Sequence, residues 1–579
     1  MLAFWIASLI VRSIKHMSSP ESEVRAVAAT DSTAAGTRTI PVIALLFFWI
    51  VLGLIGHDPW KPDEAYTFGL VNHIVKTGHM LVPELAGEPF MEKPPLYFVT
   101  AAATARLFAP WLPLYDGARL ASGLYLAIAL AAVAFSAQRL FGRPHGLLAA
   151  LMLAGATGLL IDGHALITDT ALLAGTALAF AGLAVALEKT RLAGFLLGTG
   201  VGIGFLSKGL IGPGMFGLTA VLLPVVGESW RSRRYLAVLA WALAWALPWL
   251  LIWPILLYRS APALFYEWFW INNFGRFLGF VSLGPQNSRW FYLETLPWYA
   301  LPAWPFALAT VARREWRARP GVQLALTTLL VMFGILTLAH DSRAIYAMPM
   351  LVPLVVLASP ALRRTPAHWL RVFARFSVLL FGTLAASLWL GWLAYKWRAP
   401  AFLYIPIHQH LAGVPRAVPG EAILIALVLT GVALWQFQRC WRATRAAPAL
   451  KAWVTGLVLV WGLLTTIWLP WLNGVKTYRG LMVAMRPVLP IDSCLASSGL
   501  GEPQRALLDY YDGLRTRRIE MTGSIRCPSL LMQANRPIAT DALGPDWTRI
   551  WTGARPDDHR EHYALFRRRL SGNPILRSQ

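Results

Sequence analysis

Residues 39–66 read TIPVIALLFFWIVLGLIG-HDPWKPDEAY. The first 18 residues of that stretch form an apolar run of the length a helix needs to cross a bilayer. It ends abruptly in charge, at Lys61-Pro62-Asp63-Glu64-Ala65-Tyr66. A second charged segment, Phe90-Met91-Glu92-Lys93-Pro94-Pro95-Leu96-Tyr97, follows about thirty residues later. Ionisable groups beside a membrane are costly, so a dense set of them marks a site.

The rest of the chain extends this reading. Of its 579 residues 56% are hydrophobic and 14% charged, where a soluble protein carries roughly a quarter charged residues. Apolar stretches fall near 39–56, 94–111, 117–138, 145–162, 169–187, 192–206, 209–226, 235–257, 291–312, 321–338, 346–362, 373–394, 421–438 and 452–471. This is the pattern of an all-α polytopic membrane protein. The net charge of +23 does not point to nucleic acid, because the arginines gather in short loops between apolar runs. The 27 tryptophans suit interfacial belts.

Those basic loops set the orientation. Arg139/Arg143, Lys189/Arg191, Arg231/Arg233/Arg234, Arg313/Arg314/Arg317/Arg319, Arg363/Arg364/Arg371/Arg375 and Arg439/Arg442/Arg445 all read as cytoplasmic. The N-terminus, with Arg12, Lys15, Arg25 and Arg38, reads as cytoplasmic too. Parity then requires that 94–111, which carries Arg106 and is flanked by prolines, lie along the outer interface rather than cross. About thirteen transmembrane helices result, with 57–116 as one outer loop containing interfacial helices. Residues 1–38 are expected to be disordered, and Met17-Ser18-Ser19-Pro20 reads as the more natural start.

The tail, 473–579, is polar and basic with short alternating apolar runs. It reads as a small C-terminal α/β domain outside the membrane, with alternating runs such as Ser493-Cys494-Leu495-Ala496, a helix around Gln504–Tyr511 and strands near Arg518–Met521 and Ala564–Arg567. In an oxidising compartment Cys494 and Cys527 form a disulfide; otherwise both are buried thiols, and the sequence leaves the two readings open.

Parity places the unusual charges on one face. They are Asp63, Glu64, Glu92 and Lys93, then Asp162, His164 and Asp169, Lys208, Arg276 and Arg289, and His340, Asp341, Arg343 and Tyr346. Several cations with a few carboxylates suit an anionic phosphate substrate. Bland alternatives exist for most: helix capping for Asp63-Glu64 and Asp169, headgroup anchoring for Arg276 and Arg289, and interface packing for Tyr346. Lys208 resists them, standing between two apolar runs with little polar company. Gly198-Thr199-Gly200-Val201-Gly202 lies inside an apolar run and reads as close helix packing, so no nucleotide site is implied. No metal-ligand set is complete, and a divalent cation is left open.

The order of these pieces resembles the GT-C membrane glycosyltransferases, in the aminoarabinose (lipid A) transferase and protein O-mannosyltransferase-like group. The resemblance rests on Lys61–Tyr66, on Gly78-His79-Met80-Leu81-Val82-Pro83-Glu84-Leu85 and on Glu92-Lys93-Pro94-Pro95-Leu96-Tyr97. It rests further on Gly204–Gly209, on Trp268–Phe277 and on Tyr346-Ala347-Met348-Pro349. It covers roughly residues 39–360. It implies transfer of a sugar from a polyprenyl (undecaprenyl) phosphate donor to a lipid A-like, other envelope or protein acceptor. It places the chain in the bacterial inner membrane, multi-pass, with the active site and the tail on the periplasmic side. It implies catalytic roles for Asp63, Asp169 and Lys93. Substrate contacts fall to Glu64, Tyr66, Glu92, Tyr97, Lys208, Arg276, Arg343 and Tyr346. Two segments depart from the aminoarabinose branch. No arginine precedes Tyr66, and His340-Asp341-Ser342-Arg343 stands where that branch has lysines, so the sugar is left open. A transporter or flippase is the alternative of another class, but no repeated halves are visible.

Overall fold

A computed structural model of the chain describes residues 40–569 apart from 282–283, 286, 412–416, 490–493, 557 and 559. The expectations for residues 1–38 lie outside these. The fold is helical, with one small sheet near the C-terminus. Eight helices among the described residues are long and apolar enough to cross a membrane, from Leu114–Phe141 to Ala446–Leu464. Shorter apolar helices accompany them, among them Asp169–Ala184 and Ile211–Val226. Each apolar stretch of the sequence corresponds to one or two of these helices. Breaks fall where proline or glycine interrupts the run, as at Gly155 between Arg143–Ala154 and Thr157–Asp162.

The segment after the first apolar helix folds back on the bundle. It contains helix Asp63–Thr77, a hairpin of strands β1 (Glu84–Leu85) and β2 (Glu88–Pro89), and helix Leu96–Phe108. Arg106, the charge that argued against a crossing, donates to the carbonyls of Val75 (2.7 Å) and Ile74 (3.3 Å) at the end of helix Asp63–Thr77. A cation there meets the negative end of the helix dipole, where the Ile74 carbonyl also accepts from the Gly78 amide.

A buried ionic hub fixes this segment. Glu64 Oε1 accepts from Arg119 Nε (2.9 Å) and from the Leu166 amide (2.8 Å), while Oε2 accepts from the Trp60 amide (3.0 Å). Arg119 also donates to Asp116 (2.7 Å) and to the Leu54 carbonyl (2.9 Å). Each buried charge thus meets an opposite charge or a backbone dipole, the condition for tolerating it at that depth.

The C-terminal sheet has the order β4-β3-β5-β7-β6, with β3 (Leu495–Ser498), β4 (Arg517–Arg518), β5 (Ser529–Ala534), β6 (Trp547–Gly553) and β7 (His562–Arg568). β3, β4 and β5 are parallel; β7 runs antiparallel to both β5 and β6. Helix Glu502–Asp512 connects β3 to β4, as a parallel pair requires. Of the expected strand at Arg518–Met521 only Arg518 is extended, because the chain turns into helix Ile519–Thr522. Cys494 and Cys527 are disulfide-bonded, with Cα atoms 5.1 Å apart.

This unit grips the outer segment. Helix Glu502–Asp512 packs on helix Asp63–Thr77 where Gly69 would, with a Cβ, stand 2.6 Å from the Ala506 methyl, so glycine permits the approach. Lys61 pairs with Asp558 at 2.7 Å, and Arg555 donates to the Val475 carbonyl at 2.8 Å. Helix Leu469–Lys476 runs through the expected boundary at 473, and its Asn473 accepts from both the Asp58 amide and the Trp60 indole.

Candidate functional site

Helix Thr190–Lys208 stops at Gly209, whose φ of +71° favours glycine and whose Cβ, if present, would lie 2.2 Å from Asn273 Oδ1. The sharp turn leaves Lys208 at the helix end, facing the first residue of helix Asp169–Ala184. Lys208 Nζ lies 2.9 Å from Asp169 Oδ1, and Asp169 is 4% exposed. Thr168, the residue before this helix, makes no side-chain cap, and the Asp169 carboxylate in the first turn stands in the ion pair with Lys208.

Asn273 Oδ1 accepts from the Leu210 amide at 3.1 Å, pinning the segment Glu267–Gly275 to the same turn. That segment is a π-helix, a form frequent at functional sites. Arg276 follows it. Its guanidinium donates to Glu92 Oε1 (2.6 Å), Asp341 Oδ2 (2.9 Å) and the Tyr346 hydroxyl (3.1 Å). One planar fork therefore joins the segment that carries Glu92, the short helix Arg276–Leu278 and the turn before Tyr346.

Lys93 is buried and donates to the Tyr66 hydroxyl, with Nζ 4.9 Å from that ring's centre. Burial opposes the Lys93 ammonium, yet Tyr66 and Glu92, helped by Asp169 and Asp63, hold its pKa well above the ordinary value. Burial also opposes the Glu92 carboxylate, but Lys93 and Arg276 bring its pKa down to about 2. Both side chains carry their charges at neutral pH.

Glu92, Lys93, Asp169, Lys208, Arg276 and Tyr346 line one cavity of about 340 Å³. Asp341 lines it as well, and its Oδ1 is buried without a hydrogen-bond partner among the described residues. The remaining walls are largely apolar, with Leu172, Met215, Ile335 and Leu336 among them. A charged end on an apolar shaft fits a phosphate carried on a hydrocarbon chain.

A second pocket, about 400 Å³, adjoins the first through Glu92 and Asn272. Asp63, Tyr66 and Arg343 line it, together with Glu502, Arg505 and Arg518 of the C-terminal unit. Asp63 Oδ1 lies 3.8 Å from Arg343 Nη1. Arg505 and Arg518 both donate to Glu88 Oε2, at 2.8 and 3.1 Å. The Nε–H of each is buried without a hydrogen-bond partner.

Two residues expected to touch substrate lie elsewhere. Glu64 turns inward, and its carboxylate is taken up by Arg119, Leu166 and Trp60. Tyr97, on helix Leu96–Phe108 of the same segment, is fully buried, its hydroxyl 2.6 Å from Ser122 Oγ. Conversely, Arg119 reads in the sequence as the start of an apolar run; its only signal is the i,i+3 pairing with Asp116. Among the described residues no three His, Cys, Asp or Glu side chains converge as metal ligands.

With this geometry in view, the relatives are informative. A family model described as dolichyl-phosphate-mannose-protein mannosyltransferase matches residues 92–253. An undecaprenyl phosphate-alpha-4-amino-4-deoxy-L-arabinose arabinosyl transferase from Pseudomonas aeruginosa (strain UCBPP-PA14) is 30% identical over 438 residues, covering 72% of this chain and 74% of the relative. The chain belongs to the GT-C aminoarabinose transferase family. Another member, from Pseudomonas paraeruginosa, is 29% identical over 437 residues. Two crystal structures of ArnT from Cupriavidus metallidurans share the fold of this aminoarabinose transferase-family chain. They are the apo state (TM-score 0.66, 18% identity) and the undecaprenyl phosphate complex (TM-score 0.64, 16% identity), each covering 92% of this chain and 98% of the other. The chain is a multi-pass membrane glycosyltransferase, and the transporter alternative falls away.

Proposed function

We propose that this aminoarabinose transferase-family chain moves a sugar from a polyprenyl phosphate to an envelope acceptor of lipid A type, at the periplasmic face of the bacterial inner membrane. The observation that carries the reading is the joining of the two pockets at Glu92 and Asn272. One has an apolar shaft ending in cations, suited to the polyprenyl phosphate. The other is polar, suited to an acceptor. The sugar sits between them.

Lys93, Lys208 and Arg276 hold the donor phosphate. Their charge stabilises the negative charge that builds on the leaving phosphate as the bond from the anomeric carbon to oxygen breaks. Asp169 positions Lys208; Glu92 and Asp341 position Arg276. The acceptor oxygen attacks the anomeric carbon from the opposite face, with inversion. Its proton passes to Asp63, which stands on the acceptor side with Arg343 beside it. Tyr66 orients Lys93 through its hydroxyl. Glu502, Arg505 and Arg518 of the C-terminal unit supply a wall of the acceptor pocket. The donor class is supported by the Cupriavidus metallidurans ArnT, which crystallised bound to undecaprenyl phosphate.

The test is transfer by purified protein in proteoliposomes containing undecaprenyl phosphate-linked aminoarabinose and a lipid A acceptor. Asp63→Asn is expected to lower turnover by at least about a hundredfold, within the range of a removed general base, while retaining donor binding. Wild-type turnover in that variant would remove Asp63 from the mechanism.

A further inference from the structure

A third charged cavity, of about 720 Å³, lies at the far end of the helices that carry the site. Helix Pro320–Leu338 begins at this cavity and ends at the donor cavity, where Leu336 is a wall. Its 19 residues span about 28 Å at 1.5 Å per residue. That is close to the roughly 30 Å thickness of a bilayer's hydrocarbon core. The cavity is therefore at headgroup level on the membrane face opposite the candidate site.

Its polar lining is basic: Arg319, Arg363, Arg364 and His145. Glu315 offsets part of this, pairing with Arg319 at 3.2 Å and also with Arg364. Arg363 makes no hydrogen bond or ion pair among the described residues. His145 is 8% exposed, with its ring against the Ser359 backbone and its Nδ1 buried. Three arginines against one carboxylate leave an excess of positive charge facing a cavity whose other walls, such as Phe141 and Pro320, are apolar. Headgroup anchoring alone asks only for exposed arginines. It does not call for a cavity with a histidine ring in its wall.

We infer that this cavity binds the headgroup of an anionic phospholipid from the leaflet opposite the reaction. The phosphodiester lies between Arg363 and its neighbouring arginines, a charge-assisted contact of the strong class. His145 Nδ1 meets a headgroup hydroxyl, and the apolar walls take the start of the acyl chains. The site is independent of the catalytic roles proposed above, since it shares no side chain with either pocket of the reaction.

The experiment uses the full chain, purified in a neutral detergent and delipidated. Thermal unfolding is followed as phosphatidylglycerol, phosphatidylcholine or inorganic phosphate is added. Phosphatidylglycerol is expected to raise Tm well beyond phosphatidylcholine at equal mole fraction. Arg363→Gln, which breaks no side-chain hydrogen bond or ion pair among the described residues, is expected to raise the half-saturating phosphatidylglycerol concentration about tenfold, with Arg363→Lys restoring most of it. Equal stabilisation by both lipids, or an unchanged midpoint in Arg363→Gln, would overturn the site. Protection by inorganic phosphate equal to that by phosphatidylglycerol would overturn the lipid assignment in favour of a soluble phosphate ligand.

Discussion

Lys208 Nζ stands 2.9 Å from Asp169 Oδ1 and 4.6 Å from the centre of the Tyr346 ring, so one ammonium is held between a buried carboxylate and an aromatic face. Asp169→Asn leaves that ammonium without its counter-ion. Breaking one partner of a buried pair costs about 3–5 kcal/mol. A marked drop in Tm is expected for Asp169→Asn, together with at least about a hundredfold loss of transfer. The double variant Asp169→Asn/Lys208→Met is expected to recover stability but no activity, because the pair is coupled in folding while Lys208 alone meets the donor. Additive losses in Tm across the cycle would show that the two residues are uncoupled.

Arg276 reaches Glu92, Asp341 and Tyr346 with one guanidinium. A lysine ammonium offers no planar fork and cannot make all three contacts. Arg276→Lys is therefore expected to behave nearly as Arg276→Gln, with kcat lowered about 100- to 1000-fold for a lost electrostatic contact to the leaving group. Single-turnover assays at saturating donor separate this from a binding defect. Lysine activity near that of wild type would mean that only the charge matters.

The fold was largely legible because a membrane span announces itself by length and composition, as in Leu114–Phe141 and Ala446–Leu464. The charged loops were legible for the converse reason, since Lys93 and Lys208 have no cheap place in such a sequence. The facing of side chains was not legible. Glu64 is adjacent to Asp63, yet one helical step of about 100° turns it into the hub with Arg119. Arg505 and Arg518 reach the second pocket from more than four hundred residues beyond Glu88, through contacts that no local pattern encodes. In the tail, β5 and β6 passed unremarked because short strands leave only a few residues of alternation.

The C-terminal unit has its own test. Arg505 and Arg518 share one oxygen of Glu88 and keep buried Nε–H groups without hydrogen-bond partners, beside a pocket that Asp63 also lines. Arg518→Gln is expected to raise the acceptor KM about tenfold or more, in line with loss of one charged hydrogen bond, and to leave the donor KM unchanged. Arg505→Gln removes a buried cation that also anchors the hairpin, so its KM effect is expected to come with a lower Tm. A donor KM that rises in Arg518→Gln would place this pocket on the donor's side of the reaction.

Stability in mild acid should report His57, just past the first apolar run. The ring lies between the Asp58 carbonyl (2.8 Å) and the Gly53 carbonyl (3.1 Å), stacks on Trp60 and is 4% exposed. Burial, aided by the charge of Arg119, lowers its pKa from 6.5 to about 4, although Glu64 and the two carbonyls pull the other way. The unfolded chain therefore takes up a proton near pH 6.5 that the folded chain refuses until about pH 4. The contribution to stability is complete above pH 6.5, declines as pH falls through that window, and is gone below it. At about 1.4 kcal/mol per pH unit the full loss is on the order of 3 kcal/mol. His57→Gln cannot take up that proton in either state. Tm measured in detergent from pH 7.5 to 4.5 is expected to fall more steeply for the wild type than for His57→Gln, with exposed groups cancelling in the comparison. Parallel curves for the two proteins would assign the acid sensitivity to other groups.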